Sequence, residues 1–197
     1  VLVVPASSSA RSLADLIAAG KGGGKLAYAS SSPSSASHLI SEALRSRNGM
    51  DATHVPYRGV GPAVTDLLGG QVQFMAATYP SVSQYIEAGK LRALAIASSE
   101  RIPALAGVPT VKEAGLAELS ADAWFAFYAP DSTPRAVNEK LNAEINRAIG
   151  DAAAAGKLRA VGFEPRAMSL AAFEHFHKSE VTRWGELVLA VGVKISQ

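Results

Sequence analysis

The sequence predicts an α/β fold in which crossover helices serve one sheet. Three observations carry this. Short β-rich runs alternate with stretches of helical period from the first residue to residue 97. Clusters of glycine, proline and serine separate them. The run 91–97 is almost wholly apolar, which suits a strand covered on both faces. Strand–helix–strand alternation implies right-handed crossovers and a largely parallel sheet.

Residues 1–4 read as a strand. Ser12 is the N-cap of a helix over 12–20, where Leu13, Leu16 and Ile17 share one face. A glycine cluster at 20–24 breaks the chain before a strand at 25–29. The serine-rich stretch 30–37 leads into a helix over 36–47, with Leu39, Ile40, Ala43 and Leu44 as its stripe and Gly49 as its stop. A strand at 53–56 turns through Tyr57-Arg58-Gly59-Val60-Gly61 into a helix, with Pro62 in its first position and its end at Leu68. Strands follow at 71–77 and 91–97, with a helix at 80–88 between them. Beyond Ser98 the texture is irregular, with one short helix near 110–114. An apolar strand is expected at 122–129. Thr133 and Pro134 open a helix reaching about Ile149, a second helix covers 152–161, a strand covers 163–168, and Ser169 caps a last helix through Ala190.

Composition excludes several functions. With 48% hydrophobic residues and a net charge of +2, the 197-residue chain is not disordered, and it lacks the basic excess of a nucleic-acid binder. No apolar run is long enough to span a membrane. Without cysteine there is no disulfide, thiolate nucleophile or cysteine-ligated metal. The opening Val1-Leu2-Val3-Val4-Pro5 reads as a strand rather than a secretory leader, so the chain is expected to begin within a folded element, as a trimmed product or with upstream sequence missing.

Few motifs survive scrutiny. The glycine-rich 20–25 segment lacks the Ser or Thr that a phosphate-binding loop needs after its lysine, since Leu26 follows. Gly59 and Gly61 begin a dinucleotide fingerprint that fails at Val64. There is no Gly-x-Ser-x-Gly elbow. His175 and His177 lie two apart on a helix and point to different faces, and no metal or cofactor site is expected. His38 is read as a packing or hydrogen-bonding residue at a helix start, and Trp124 and Trp184 as core. Arg58 suits either a ligand carboxylate or a solvated turn. In open α/β sheets, ligands gather where carboxyl ends of strands meet helix N-termini. Three such junctions occur, before the helices at 36, 62 and 80. The serine loop at the first is either a capped, solvated turn or an anion cradle.

The order of segments resembles the Bug-type, TctC-like receptors of tripartite tricarboxylate transporters. Ala29-Ser30-Ser31-Ser32-Pro33-Ser34-Ser35-Ala36-Ser37-His38-Leu39 is similar to that family's A-S-S-G-x-G-S-x-x-H-L loop. His54-Val55-Pro56-Tyr57-Arg58-Gly59, Asp66-Leu67-Leu68-Gly69-Gly70-Gln71-Val72, Gly89-Lys90-Leu91-Arg92-Ala93-Leu94-Ala95 and Val108-Pro109-Thr110-Val111-Lys112-Glu113-Ala114-Gly115 follow in the family's order. Serine replaces the loop's two glycines at Ser32 and Ser34, and Ala77 stands where the family commonly carries aspartate.

The resemblance implies a type II periplasmic-binding-protein arrangement of two lobes, the first incomplete here. Residues 1–122 would be the second, inserted lobe and 123–197 the carboxyl-terminal return of the first. It implies a non-enzymatic, periplasmic solute-binding protein that captures a small carboxylate for membrane transporter subunits: a di- or tricarboxylate, an aromatic acid or an acidic amino acid. It places the ligand at Ser31, Ser32, Ser34, Ser35 and Ala36, with Ala77, Thr78 and Tyr79 lining the next strand end. A ligand sensor of the same fold, signalling to a membrane partner, and a degenerate homologue that no longer binds are the alternatives. An unpaired apolar strand near 123–129 would favour a homodimer.

Overall fold

The structure is a computed structural model that describes residues 1–193. The elements in order are β1 (Leu2–Pro5), α1 (Leu13–Lys21), β2 (Leu26–Ser30), α2 (Ala36–Arg47), β3 (Ala52–Pro56), α3 (Val60–Leu68), β4 (Phe74–Ala76), α4 (Tyr79–Glu87) and β5 (Leu91–Ala95). Two short 3-10 turns (Pro103–Leu105 and Ala117–Leu119) precede α5 (Arg135–Gly150), α6 (Ala152–Ala160) and α7 (Leu170–Val191). Two compact units result: Val1–Ala123 joined by the chain from Leu187, and Trp124–Glu186.

The first unit holds a five-stranded sheet in the order β3-β2-β4-β1-β5. β2 pairs in parallel with β3 and β4, whereas β1 runs antiparallel to both β4 and β5. The sheet is therefore mixed, not largely parallel. The four strands linked by crossover helices do share one direction; β1 alone is reversed, inserted between β4 and β5. A short strand buried on both faces looks the same in either direction, so its hydrophobic pattern carries no sign of this.

Side-chain alternation divides the core. Val3, Ala29 and Met75 pack on one face with Ala63, Val64 and Leu67 of α3 and Val82 of α4. Tyr28 and Phe74 point to the other face, where their rings stack at 5.3 Å and the Tyr28 hydroxyl bonds Glu42 of α2. Buried Ser41 of α2 accepts from the Ala76 backbone N–H at 3.2 Å. The Arg92 guanidinium donates to the carbonyls of Ala6, Ser8 and Ala10, pinning the segment after β1.

Caps fix the helix starts. Ser12 and Asp15 form a reciprocal capping box on α1. Ser35 caps α2 through the His38 N–H, and Asp151 caps α6 through the N–H groups of Ala153 and Ala154. α3 starts at Val60, two residues before Pro62, because Gly59 with φ 113° makes the turn. α5 starts at Arg135, with Pro134 rather than Thr133 as N-cap. The helix expected near 110–114 is a single turn in which Thr110 and Glu113 cap each other, ended by Gly115 at φ 81°.

Residues 122–129 and 163–168 form no strand. Among the described residues no backbone ladder lies beside either, and apolar composition alone does not supply one. Residues 71–77 keep only Phe74–Ala76 as strand. In the second unit Trp124 is half-buried, with ring edges against Phe173 and Phe176 and its indole N–H donating to Glu180 at 2.8 Å. Trp184 is also half-buried, so neither tryptophan lies in a core. Met168 bridges to Asn142 and Asn146 of α5 through its backbone.

Candidate functional site

The carboxyl ends of β3, β2 and β4 lie side by side, and each turns directly into a helix N-terminus. Neither α2, α3 nor α4 has an acidic residue in its first turn, and α3 and α4 have no side-chain cap. α1 differs, since Asp15 closes its N-terminus. Three positive helix ends without a carboxylate of their own make this sheet edge a place for an anion.

The β2–α2 loop is held by its own hydroxyls. The Ser31 N–H donates to Ser37 Oγ at 3.0 Å, and the Ser35 hydroxyl donates to the Ser32 carbonyl at 2.7 Å. The Gly59 N–H donates to the Ser31 carbonyl at 2.8 Å and the Tyr57 N–H to the Ser30 carbonyl at 3.0 Å, so the β3–α3 turn is tied to the serine loop. The backbone N–H groups of Ser32, Ala36 and Ser37 have no acceptor among the described residues. They are donors that a bound anion could use.

Ser34 carries the strain of the loop. Its φ of 60° is left-handed, a region that a side chain with Cβ enters at a cost and glycine enters freely. Its Oγ is buried and has no hydrogen-bond partner. Its N–H donates to His38 Nδ1 at 3.0 Å.

His38 is buried and stacks face to face on His54, with ring centroids 3.7 Å apart and planes within 6°. His54 Nε2 lies 2.6 Å from Ser30 Oγ, and Tyr28, its register partner on β2, lies beside both rings, 5.1 Å from His54 and 6.4 Å from His38. Burial lowers both imidazole pKa values; the His38 ring adds to this at His54, bringing it to about 4. At Glu42 burial works upward, but hydrogen bonds from Arg45 and Tyr28 outweigh it and keep the carboxyl below its usual value. The histidine stack escaped sequence reasoning. Its one trace is the placement of a histidine at N3 of α2 and another within β3, in register with Tyr28.

The residues expected to bind ligand occupy two neighbouring strand ends. Ser31, Ser32, Ser34, Ser35 and Ala36 follow β2; Ala77, Thr78 and Tyr79 follow β4. All are half-buried except Ser32, which is exposed. Thr78 is the N-cap residue of α4, but its hydroxyl donates to Ser81 Oγ rather than to the helix. The Tyr57 hydroxyl donates to Asp66 at 2.7 Å, and burial together with that carboxylate pushes its pKa up to about 12. Arg58 is exposed on the same turn. A shallow hollow lined by Pro5, Ala6, Ser7, Leu68 and Lys90 sits at the opposite sheet edge, where reversed β1 ends. Among the described residues no group of histidines and carboxylates is arranged to hold a metal, and no helix is long and apolar enough to cross a membrane.

A family model described as the tripartite tricarboxylate transporter family receptor matches residues 1–193. A protein from the tcbD-tcbE intergenic region of Pseudomonas sp. strain P51 is 39% identical across all of this chain, which covers 59% of that protein. Among solved structures, R. palustris Rpa4515 with adipate superposes with a TM-score of 0.91 at 32% identity, covering 98% of this chain and 64% of that one. The periplasmic binding protein BugD gives 0.87 at 27% identity, covering 98% and 66%. MatC of Rhodopseudomonas palustris with bound malate gives 0.84 at 28%, covering 95% and 65%. The chain thus spans somewhat under two thirds of the length of these relatives.

Proposed function

The chain belongs to the tripartite tricarboxylate transporter family of receptors, and from that premise we propose that it captures a small dicarboxylate at the carboxyl ends of β2 and β4. The observation that carries the proposal is the absence of any acidic residue from the first turns of α2, α3 and α4. One ligand carboxylate accepts from the N–H groups of Ser32, Ala36 and Ser37, with the hydroxyls of Ser31, Ser34 and Ser35 around it. Ala77, Thr78 and Tyr79 border the same space. That two structural relatives hold adipate and malate supports a dicarboxylate over a monoacid.

In this reading residues 1–122 are the ligand-binding lobe and 123–197 belong to the other lobe of a periplasmic receptor. The receptor hands its ligand to membrane transporter subunits, and no step of chemistry is involved. The family is one of transport receptors, not enzymes. Calorimetry with adipate and with malate tests the assignment. Binding by the wild-type chain, and none by a Ser34→Leu/Ser35→Leu double variant, is the expected result. Undiminished binding by the double variant would place the ligand elsewhere.

A further inference from the structure

The serine loop depends on a bond that only a neutral ring can accept. His38 Nδ1 takes the Ser34 N–H at 3.0 Å, and Ser34 is the residue forced into left-handed backbone. An imidazole nitrogen accepts only while it carries no proton; once charged, it becomes a donor facing another donor. The partner ring is fixed as tightly. His54 Nε2 meets Ser30 Oγ at 2.6 Å, and that same hydroxyl lies 3.0 Å from the Ser32 carbonyl inside the loop. Because a carbonyl only accepts, the single Ser30 proton points to Ser32 and the His54 Nε2–H donates to Ser30. The two rings thus hold the loop at both ends, through Ser30–Ser32 and through Ser34, and lie 3.7 Å apart in parallel planes.

We propose that the stacked His38–His54 pair is the positioning element of the serine loop, and that the loop keeps its ligand-ready turn only while His38 is neutral. This rests on the reading of that loop as the carboxylate site.

The charged and titratable groups around the pair are few. Tyr28 of β2 stacks on both rings and bonds Glu42 of α2, and Arg45 of α2 pairs with the same Glu42. Phe74 of β4 is uncharged and lies against Tyr28. The Glu42 carboxylate favours a proton on either histidine, but Arg45 offsets its charge, and burial dominates at both rings. Two imidazolium rings in face-to-face contact would repel each other. Protonation of His38 therefore breaks the Ser34 bond, and protonation of both rings also drives the stack apart.

The test is a histidine and amide titration of the full chain by NMR, from about pH 7.5 to about pH 3, a range that spans ordinary histidine titration and the lowered value of His54. Both rings should titrate below the ordinary value of 6.5, His54 near 4. The exchange protection of the Ser34 amide, corrected for its intrinsic rate, should fall about tenfold with His38 protonation, roughly the equilibrium worth of one hydrogen bond. His38→Asn keeps an acceptor close to the place of Nδ1 and has no proton to gain, so its Ser34 amide should stay protected throughout. His38→Phe keeps a ring but no acceptor, and should lose that protection at neutral pH. Independent titration of both rings at 6.5 in the wild-type chain, with a Ser34 amide indifferent to pH, would overturn the proposal. So would full Ser34 protection in a folded His38→Phe chain. Calorimetry with adipate separates this from the ligand assignment. The wild-type chain should weaken more than His38→Asn on acidification, and equal weakening would contradict the positioning role. If neither protein binds adipate at neutral pH, the carboxylate reading fails, while the wild-type amide titration still decides whether the pair holds the loop.

Discussion

Strand β1 and the segment 124–129 are made of the same kind of residue, yet Leu2, Val3 and Val4 are fully buried while Phe125 and Phe127 are 73% and 80% exposed. β1 has a ladder on each side, to β4 and β5. Residues 124–129 have none among the described residues. Burying a strand removes its N–H and C=O groups from water along with its side chains, so it is tolerated only where those groups find partners. The contrast extends through the second unit. Within Trp124–Glu186 the buried residues are Ala155 and Glu180, and the two tryptophans gather around that carboxylate rather than around an apolar centre.

The largest expected effect comes from exchanging the two environments. Phe74→Ala empties a fully buried site and should cost about 3–5 kcal/mol in denaturant unfolding. Phe127→Ala should change stability by no more than about 0.5 kcal/mol. A large loss at Phe127 would show that its face is covered in solution, as a homodimer would cover it, and light scattering on the same sample would reveal such a dimer.

Next is the packing of α1. A Cβ on Gly20 would meet Met50 Cβ at 2.8 Å, so Gly20→Ala should destabilise the first unit by about 1–3 kcal/mol. Ser34→Gly should act in the opposite direction, by about 0.5–1 kcal/mol, because it relieves a left-handed φ and removes a buried, unpartnered hydroxyl. A less stable glycine variant would mean that the serine backbone is at ease there.

The smallest effect sharpens the account of the second unit. Hydrogen bonding from Arg183 holds the Glu180 carboxyl below its usual 4.5, against the opposing pull of burial and with further help from Trp124. A lowered carboxyl pKa stabilises the fold above the unfolded value and loses that contribution as pH falls through the folded one. Tryptophan emission should therefore shift only below pH 4.5, and Glu180→Gln should abolish the shift.

Local signals were the legible ones. Ser12 announced α1 because a cap is written within four residues of sequence, whereas Ser35, the cap of α2, was not singled out among its neighbouring serines. Thr133 misled for the same reason, as Thr and Pro are both acceptable where α5 begins. The reversal of β1 and the missing ladder at 122–129 depend on which strands meet, and side-chain periodicity does not encode that. The left-handed backbone at Ser34 was not anticipated; the glycine that the resembling family carries there is its one sign in the sequence. Nor was the His38–His54 stack, because it arises from the β2–β3 register and the packing of α2 across it.

The central claim is that the ligand is bound by the serine loop of the first unit and not by the exposed aromatic segment of the second. The most direct test is an amide shift map of the full chain during titration with adipate. Saturable shifts are expected in the amides of Ser32, Ala36 and Ser37, with weaker ones at Ala77, Thr78 and Tyr79, and none at Phe125 or Phe127. Shifts centred on Phe125–Tyr128, with the serine loop unmoved, would contradict it.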